Sequence, residues 1–241
     1  MIVHEKPVSW YLEKIRNKEY FSQGMYGDGE WIAMFHEKIG GMNAENTVYS
    51  KELCDALEAS MSFDDPNFYF SVSSCLRRAD WTGIGEGKID SWMKARGLEN
   101  EFYEKDVWDK DMREGRGLEF IKLLREHNVA IVSNRALRGL DFLKYDAFFE
   151  VSYPNCYNEI DTTVDAILAY GKPGIYIVAM GLPAALLVQK LHGRLKDSWI
   201  LDLGSIWDAF VGIGAQRGWR REMYADQIAY QNWKNQYLTG L

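Results

Sequence analysis

From residue 129 to residue 205 the chain repeats one pattern: a short unbroken apolar run, a polar or glycine-containing ending, then a helical stretch. The runs are Val129-Ala130-Ile131-Val132, Ala147-Phe148-Phe149-Glu150-Val151, Gly174-Ile175-Tyr176-Ile177-Val178-Ala179 and Trp199-Ile200-Leu201-Asp202. Helices are expected from Glu159 to Tyr170, stopped at Gly171, and from Ala184 to Leu191, stopped at Gly193. Strands without polar alternation, joined by helices, are buried on both faces and therefore parallel. The pattern predicts an α/β, Rossmann-like fold with a mostly parallel sheet and helices on both faces. Ligands of such sheets bind at the carboxyl ends of the strands. The endings Ser133-Asn134-Arg135, Ser152-Tyr153-Pro154-Asn155, Met180-Gly181-Leu182-Pro183 and Leu203-Gly204-Ser205 should therefore line one rim. No G-x-G-x-x-G follows any expected strand, and Gly83, Gly85 and Gly87 form no such fingerprint, which disfavours a dinucleotide-dependent dehydrogenase.

The first half is less regular. An amphipathic helix is expected from Val8 to Lys18, an extended segment from Phe21 to Met25, and a helix beginning near Trp31. Ser50 suits the N-cap of a helix over Lys51 to Met61. A strand follows at Phe68 to Ser73, then helices over Ile89 to Arg96 and Glu114 to His127. The whole is read as one domain over 1–241, with an N-terminal half (1–128), a β-α-β half (129–212) and a helical tail (213–241). The tail carries Arg217, Arg220 and Arg221 among aromatics that include Trp219, Tyr224 and Trp233. It reads first as a helix packed on the body and second as a basic recognition patch.

The stretch Tyr26-Gly27-Asp28-Gly29-Glu30-Trp31 carries the chemistry of the first half. Alternate residues of an extended segment share a side, so Asp28 and Glu30 can aim at one point. Two hard carboxylate oxygens on a glycine-rich loop suit Mg²⁺ or Mn²⁺, with phosphate and water completing the shell. Asp-Gly is also a common turn dipeptide, so a plain surface turn is the competing reading. Glu30 falls near a helix N-terminus, where negative charge is favoured.

Composition narrows the partners. A hydrophobic content of 47% with 26% charged residues is ordinary for a globular protein. No apolar run is long enough to span a bilayer, no signal-peptide pattern opens the chain, and a cytoplasmic location is the expectation. Three separated cysteines make no disulfide framework or zinc spacing. A net charge of −7 disfavours nonspecific nucleic-acid binding.

Four stretches, in order, resemble the GT-D type of glycosyltransferase, a bacterial and phage family first catalogued as a domain of unknown function. Gly27-Asp28-Gly29-Glu30 looks like its Asp-x-Glu metal motif, and Pro154-Asn155-Cys156-Tyr157 like its Pro-x-x-Asn-Ala-Tyr loop. Ile177 to Ala185 looks like its Gly-Pro-Thr-Ala strand-turn-helix, and Leu201 to Asp208 like its closing Asp-x-Gly-His-x-Asp stretch. Met25 stands where the family often has arginine, and Ser205 where it has histidine.

The resemblance implies transfer of a sugar from a nucleotide-sugar donor, a UDP-sugar first, to an acceptor hydroxyl, with Mn²⁺ or Mg²⁺ at Asp28 and Glu30. Tyr26 and Gly27 would flank the substrate. Arg77, Arg78 or Arg135 would supply the phosphate contact that Met25 cannot. Asn155 and Tyr157 would meet the base, or form a plain turn. Gly181, Pro183 and Ala184 would offer backbone N–H groups to phosphate or ribose, or pack strand tightly on helix. Asn134 and Arg135 would meet phosphate, or form a helix cap and a surface arginine. Asp202 and Asp208 are candidates for a general base. The acceptor is a glycan or glycoprotein, with a hydroxymethylated base in phage-type DNA as second choice. The alternative class is a noncatalytic nucleotide-binding module.

Overall fold

The computed structural model describes residues 1–43, 46–73, 76, 84–214 and 218–241, the side chains of Gly218 and Trp219 apart. Arg77, Arg78, Gly83 and Arg217 lie outside the described residues. Among the described residues, eight strands form one sheet: β1 (Ile2–His4), β2 (Ser22–Tyr26), β3 (Phe68–Val72), β4 (Glu101–Glu104), β5 (Val129–Ser133), β6 (Ala147–Glu150), β7 (Ile175–Ala179) and β8 (Trp199–Asp202). Their order is β1-β4-β3-β2-β8-β7-β5-β6, and every pairing is parallel. The parallel sheet inferred for the second half thus runs through the whole chain.

Chain order explains the layout. From β2 the chain steps outward to β3 and β4, crosses to β5 and β6 on the other side, and returns through β7 to β8 beside β2. The strands that open and close this circuit therefore meet at the centre. One face of the sheet is covered by α2 (Asp28–Met34), α3 (Lys51–Ser60), α4 (Glu86–Ala95), α7 (Ile160–Tyr170) and α8 (Ala184–Leu191). Their Trp31, Leu57, Trp92, Ile167 and Leu187 share one apolar layer. The other face carries α1 (Val8–Arg16), α5 (Asp106–Arg113), α6 (Leu118–Leu124), α9 (Asp208–Val211) and α11 (Gln227–Thr239). Tyr11, Trp108, Phe120, Phe210 and Tyr237 form that second layer. α11 is preceded by α10 (Gly218–Ala225). The tail packs on the body: Trp233 Nε1 donates to the Met112 carbonyl at 3.0 Å, and Tyr237 is fully buried.

Local chemistry sets several boundaries. Ser50 caps α3, its hydroxyl accepting from Leu53 N–H at 3.2 Å. Gly171 stops α7 in the left-handed conformation that glycine adopts without a Cβ penalty. The helix expected over Glu114 to His127 begins only at Leu118, because the chain turns at Gly115 with φ of +80°. α5, β1 and β4 were not read from sequence; both strands are short, and Glu101 and Glu104 give β4 charged ends.

α8 lies against β2 at Gly24. A Cβ at that glycine would stand 3.0 Å from Phe68 Cζ and 3.5 Å from Ala185 Cβ. Gly24→Val forces both neighbours aside, and overpacking of this kind costs about 1–3 kcal/mol. Chemical denaturation should show an earlier midpoint by that amount, with an unchanged dependence on denaturant.

Candidate functional site

The centre of the sheet is also where its strands part. β2 pairs with β3 along all five residues, Ser22 to Tyr26. With β8 it pairs only at Ser22 with Ile200 and Gln23 with Leu201. Beyond that point the Met25 N–H donates to the Asp202 side chain, at 3.1 Å to Oδ2, and the Gly204 N–H donates to Oδ1 at 3.0 Å. Asp202 is 3% exposed, so its carboxylate wedges the two strand ends from inside. After β2 the chain turns to α2 on one face; after β8 it turns to α9 on the other. Adjacent strands whose connections leave to opposite faces open a crevice at their carboxyl ends, the usual ligand position in open α/β sheets.

The acidic stretch enters this crevice in an unexpected form. Helix α2 begins at Asp28, not near Trp31, with Gly27 as its N-cap. The Glu30 side chain reaches back so that Oε2 accepts from Gly27 N–H at 2.8 Å, the glutamate half of a capping box. Residues two apart on a helix are separated by about 200° around the axis, so Asp28 and Glu30 diverge instead of sharing one side as extended residues would. Asp28 is exposed, and Glu30 is half-buried. They remain electrostatic neighbours. Burial pushes the Glu30 carboxyl up to about 8, and the charges of Asp202 and Asp28 add to that push. Burial raises Asp202 to about 7, partly offset by the N–H groups of Met25 and Gly204 and by the charge of Lys105.

Close packing brings a third strand end in. A Cβ on Gly29 would lie 2.6 Å from Leu182 Cδ2 and 3.9 Å from the Tyr49 hydroxyl. Only glycine lets the start of α2 approach the β7–α8 turn this closely. In that turn Ala184 N–H donates to the Gly181 carbonyl at 2.9 Å, and Leu182 and Ala184 are buried. Gly181, Pro183 and Ala184 thus form a tight strand–helix joint bordering the crevice. Tyr26 is buried below it, with its hydroxyl 2.9 Å from Ser60 Oγ. Buried Tyr49 stands beside the two acids, whose charges help to raise its phenol. Sequence reasoning did not single it out.

The remaining candidates divide into two groups. Asn155 and Tyr157 tie loops across the rim: Val48 N–H donates to Asn155 Oδ1 at 3.1 Å, and the Tyr157 hydroxyl donates to the Glu52 carbonyl at 3.1 Å. Asn134 caps the turn after β5, its Oδ1 accepting from Ala136 N–H at 2.9 Å, and Arg135 is exposed. Both line a cleft of about 540 Å³ with Ser152, Tyr153 and Ile213. Asp208 is raised by burial to about 6, partly offset by Arg220, whose Nη1 stands 3.6 Å from its Oδ2. Arg220 is 4% exposed, and its Nη2 donates to Ser205 Oγ at 2.8 Å. It is therefore a buried tie, not part of a solvent-facing basic patch.

The arrangement is an open α/β sheet with an acidic crevice at its switch point. Two solved structures are similar to it in fold. One is described as a new glycosyltransferase (DUF1792) from Streptococcus sanguinis: TM-score 0.62, 14% identity, 92% of this chain and 85% of that one covered. The other is described as the domain of unknown function 1792 with a distinct glycosyltransferase fold: TM-score 0.64, 17% identity, 92% and 82% covered. This chain has that fold, as the sequence resemblance implied. No protein-family model and no curated protein matches it.

The buried acids make stability depend on pH in a set direction. Glu30 and Asp202 carry folded-state values of about 8 and about 7, above their unfolded carboxylate values. The native state therefore binds more protons between roughly pH 4 and pH 8, and stability falls as pH rises through that window. The melting temperature of the metal-free protein should drop from pH 6 to pH 8.5, and Glu30→Gln, which keeps the cap, should reduce the drop.

Proposed function

We propose that this chain is a metal-dependent glycosyltransferase that moves a sugar from a nucleotide-sugar donor, a UDP-sugar first, to an acceptor hydroxyl. The observation that carries the reading is the gathering of Asp28, Glu30 and Asp202 at the parted ends of β2 and β8. The similarity to solved structures described as glycosyltransferases supports it.

Because Asp28 and Glu30 leave the helix in different directions, a cation here would be held jointly with substrate, not by a closed set of protein ligands. Among the described residues no three His, Cys, Asp or Glu side chains form a ligand cluster. Exposed Asp28 and the Glu30 oxygen not engaged by Gly27 would hold Mn²⁺ or Mg²⁺, with donor phosphates and water as the other ligands. When bound, the ion supplies Lewis-acid stabilisation to the departing nucleoside diphosphate. The chain's own residues do the rest. Gly27 and Gly29 bring the backbone close, and Asp202 fixes the strand ends. The cleft at Asn134, Arg135 and Tyr153 offers polar groups and an aromatic ring to the nucleoside. Of the two acids expected to act as base, Asp202 lies in the crevice, whereas Asp208 faces Arg220. A glycan or glycoprotein acceptor is preferred to DNA, because Arg220 is committed to Ser205 and Asp208.

A nucleoside diphosphate should raise the melting temperature only when Mn²⁺ or Mg²⁺ is present. Asp28→Asn should abolish most of that increase, and a nucleotide-sugar screen should reveal release of the diphosphate. Metal-dependent binding unchanged in Asp28→Asn would overturn the metal assignment. Binding without release from any donor and acceptor pair would favour the noncatalytic module.

A further inference from the structure

The proposed reaction leaves a charge deficit at the crevice. Asp28, Glu30 and Asp202 are all acids, and a nucleotide-sugar adds a diphosphate. A divalent ion offsets only part of this negative charge. A site of this kind needs a further cation near the crevice, and three at the carboxyl end of the sheet are candidates. Arg220 is buried and donates to Ser205. Arg135 follows β5, two strands from β8 or about 10 Å at the usual strand spacing, but it already lines the nucleoside cleft. Lys105 follows β4, two strands from β2 on the opposite side, or about 10 Å.

Lys105 is held for such a role. Its backbone N–H donates to the Val72 carbonyl at 2.9 Å, which fixes it at the carboxyl end of β3 and β4. Its neighbour Asp106 is engaged elsewhere: the Ser73 hydroxyl lies 2.9 and 2.8 Å from the two Asp106 carboxylate oxygens. The Lys105 ammonium stands 3.9 Å from Asp106 Oδ1, beyond hydrogen-bond length. The side chain is about one-quarter exposed, so it is accessible yet shielded. Its charge is also felt across the sheet at Asp202. The lysine stem covers part of the distance between the strand end and the crevice, a diphosphate would span the rest, and the flexible point charge suits phosphate.

We propose that Lys105 binds the diphosphate of the donor, reaching into the β2–β8 crevice from the end of β4 on the side away from the nucleoside cleft. This rests on the donor reading of the site given above. The charge-assisted contact holds the diphosphate before transfer and strengthens as negative charge grows on it during departure.

The test compares wild type, Lys105→Met and Lys105→Arg by calorimetric titration with UDP, GDP, ADP, CDP and dTDP, and with the matching monophosphates, all in Mg²⁺. The wild type should bind one diphosphate more tightly than its monophosphate. In Lys105→Met that preference should shrink by roughly tenfold or more, while monophosphate affinity and melting temperature stay near wild type. Lys105→Arg should recover most of the preference, because it restores the charge. Wild-type binding with an unchanged diphosphate preference in Lys105→Met would overturn the role of Lys105 and leave the donor reading standing. Failure of the wild type to bind any of the five diphosphates would overturn the donor reading, and the role of Lys105 with it. Equal loss of monophosphate and diphosphate binding, with a lowered melting temperature in both variants, would mark Lys105 as structural and also overturn the proposal.

Discussion

One carboxylate stands where a backbone ladder would otherwise continue. β2 and β8 share two registered positions, and above them Asp202 takes the Met25 N–H that a strand carbonyl would have taken. A buried carboxylate is costly unless hydrogen-bonded, and Asp202 meets that condition with two backbone donors. The exchange has a structural result that a carbonyl could not give. The side chain holds the strand ends together while letting their backbones separate, and a crevice opens in an otherwise continuous sheet.

Everything near the crevice is fastened by similar short polar links. The segment between α2 and α3 crosses to the loop after β6, with Thr47 Oγ1 donating to the Pro154 carbonyl at 3.0 Å and Val48 N–H to Asn155. Tyr157 reaches the start of α3 through the Glu52 carbonyl. On the far side, Arg220 pins the turn after β8. The links at Thr47, Val48 and Tyr157 join parts of the chain more than a hundred residues apart, so this side of the rim is assembled only when both halves of the sheet are in place. Gly29 shows the same dependence, because its lack of a side chain matters only once Leu182 is beside it.

That dependence explains what could be read in advance. The strands from Val129 to Asp202 were legible because burial on both faces leaves an unbroken apolar run. The sites of glycine stops and of the Ser50 cap were legible because their chemistry is local. β4 was not, since a four-residue strand with glutamate at both ends carries no apolar run. Missing β4 hid Lys105, whose position at the rim follows only from the strand before it. The acids at 28 and 30 were singled out from the sequence, but their local geometry was misread. Gly27 and Gly29 suggested a loop, whereas the capping contact from Glu30 extends the helix back to Asp28. The ties made by Asn155, Tyr157 and Arg220 involve partners distant in sequence, which pattern alone does not supply.

The placement of Glu30 sets two effects against each other. The first turn of a helix favours negative charge, and the Gly27 N–H favours the ionised form further. Burial opposes both, as do the nearby charges of Asp202 and Asp28. The net shift is upward, to about 8, so burial and repulsion win. A cation entering the crevice reverses the balance, because it compensates the charge that burial penalised. On the donor reading, a bound cation would bring the Glu30 carboxyl back toward its ordinary range. On that reading, the cap at Glu30 and the buried wedge at Asp202 favour a cation that compensates the charge their burial penalises.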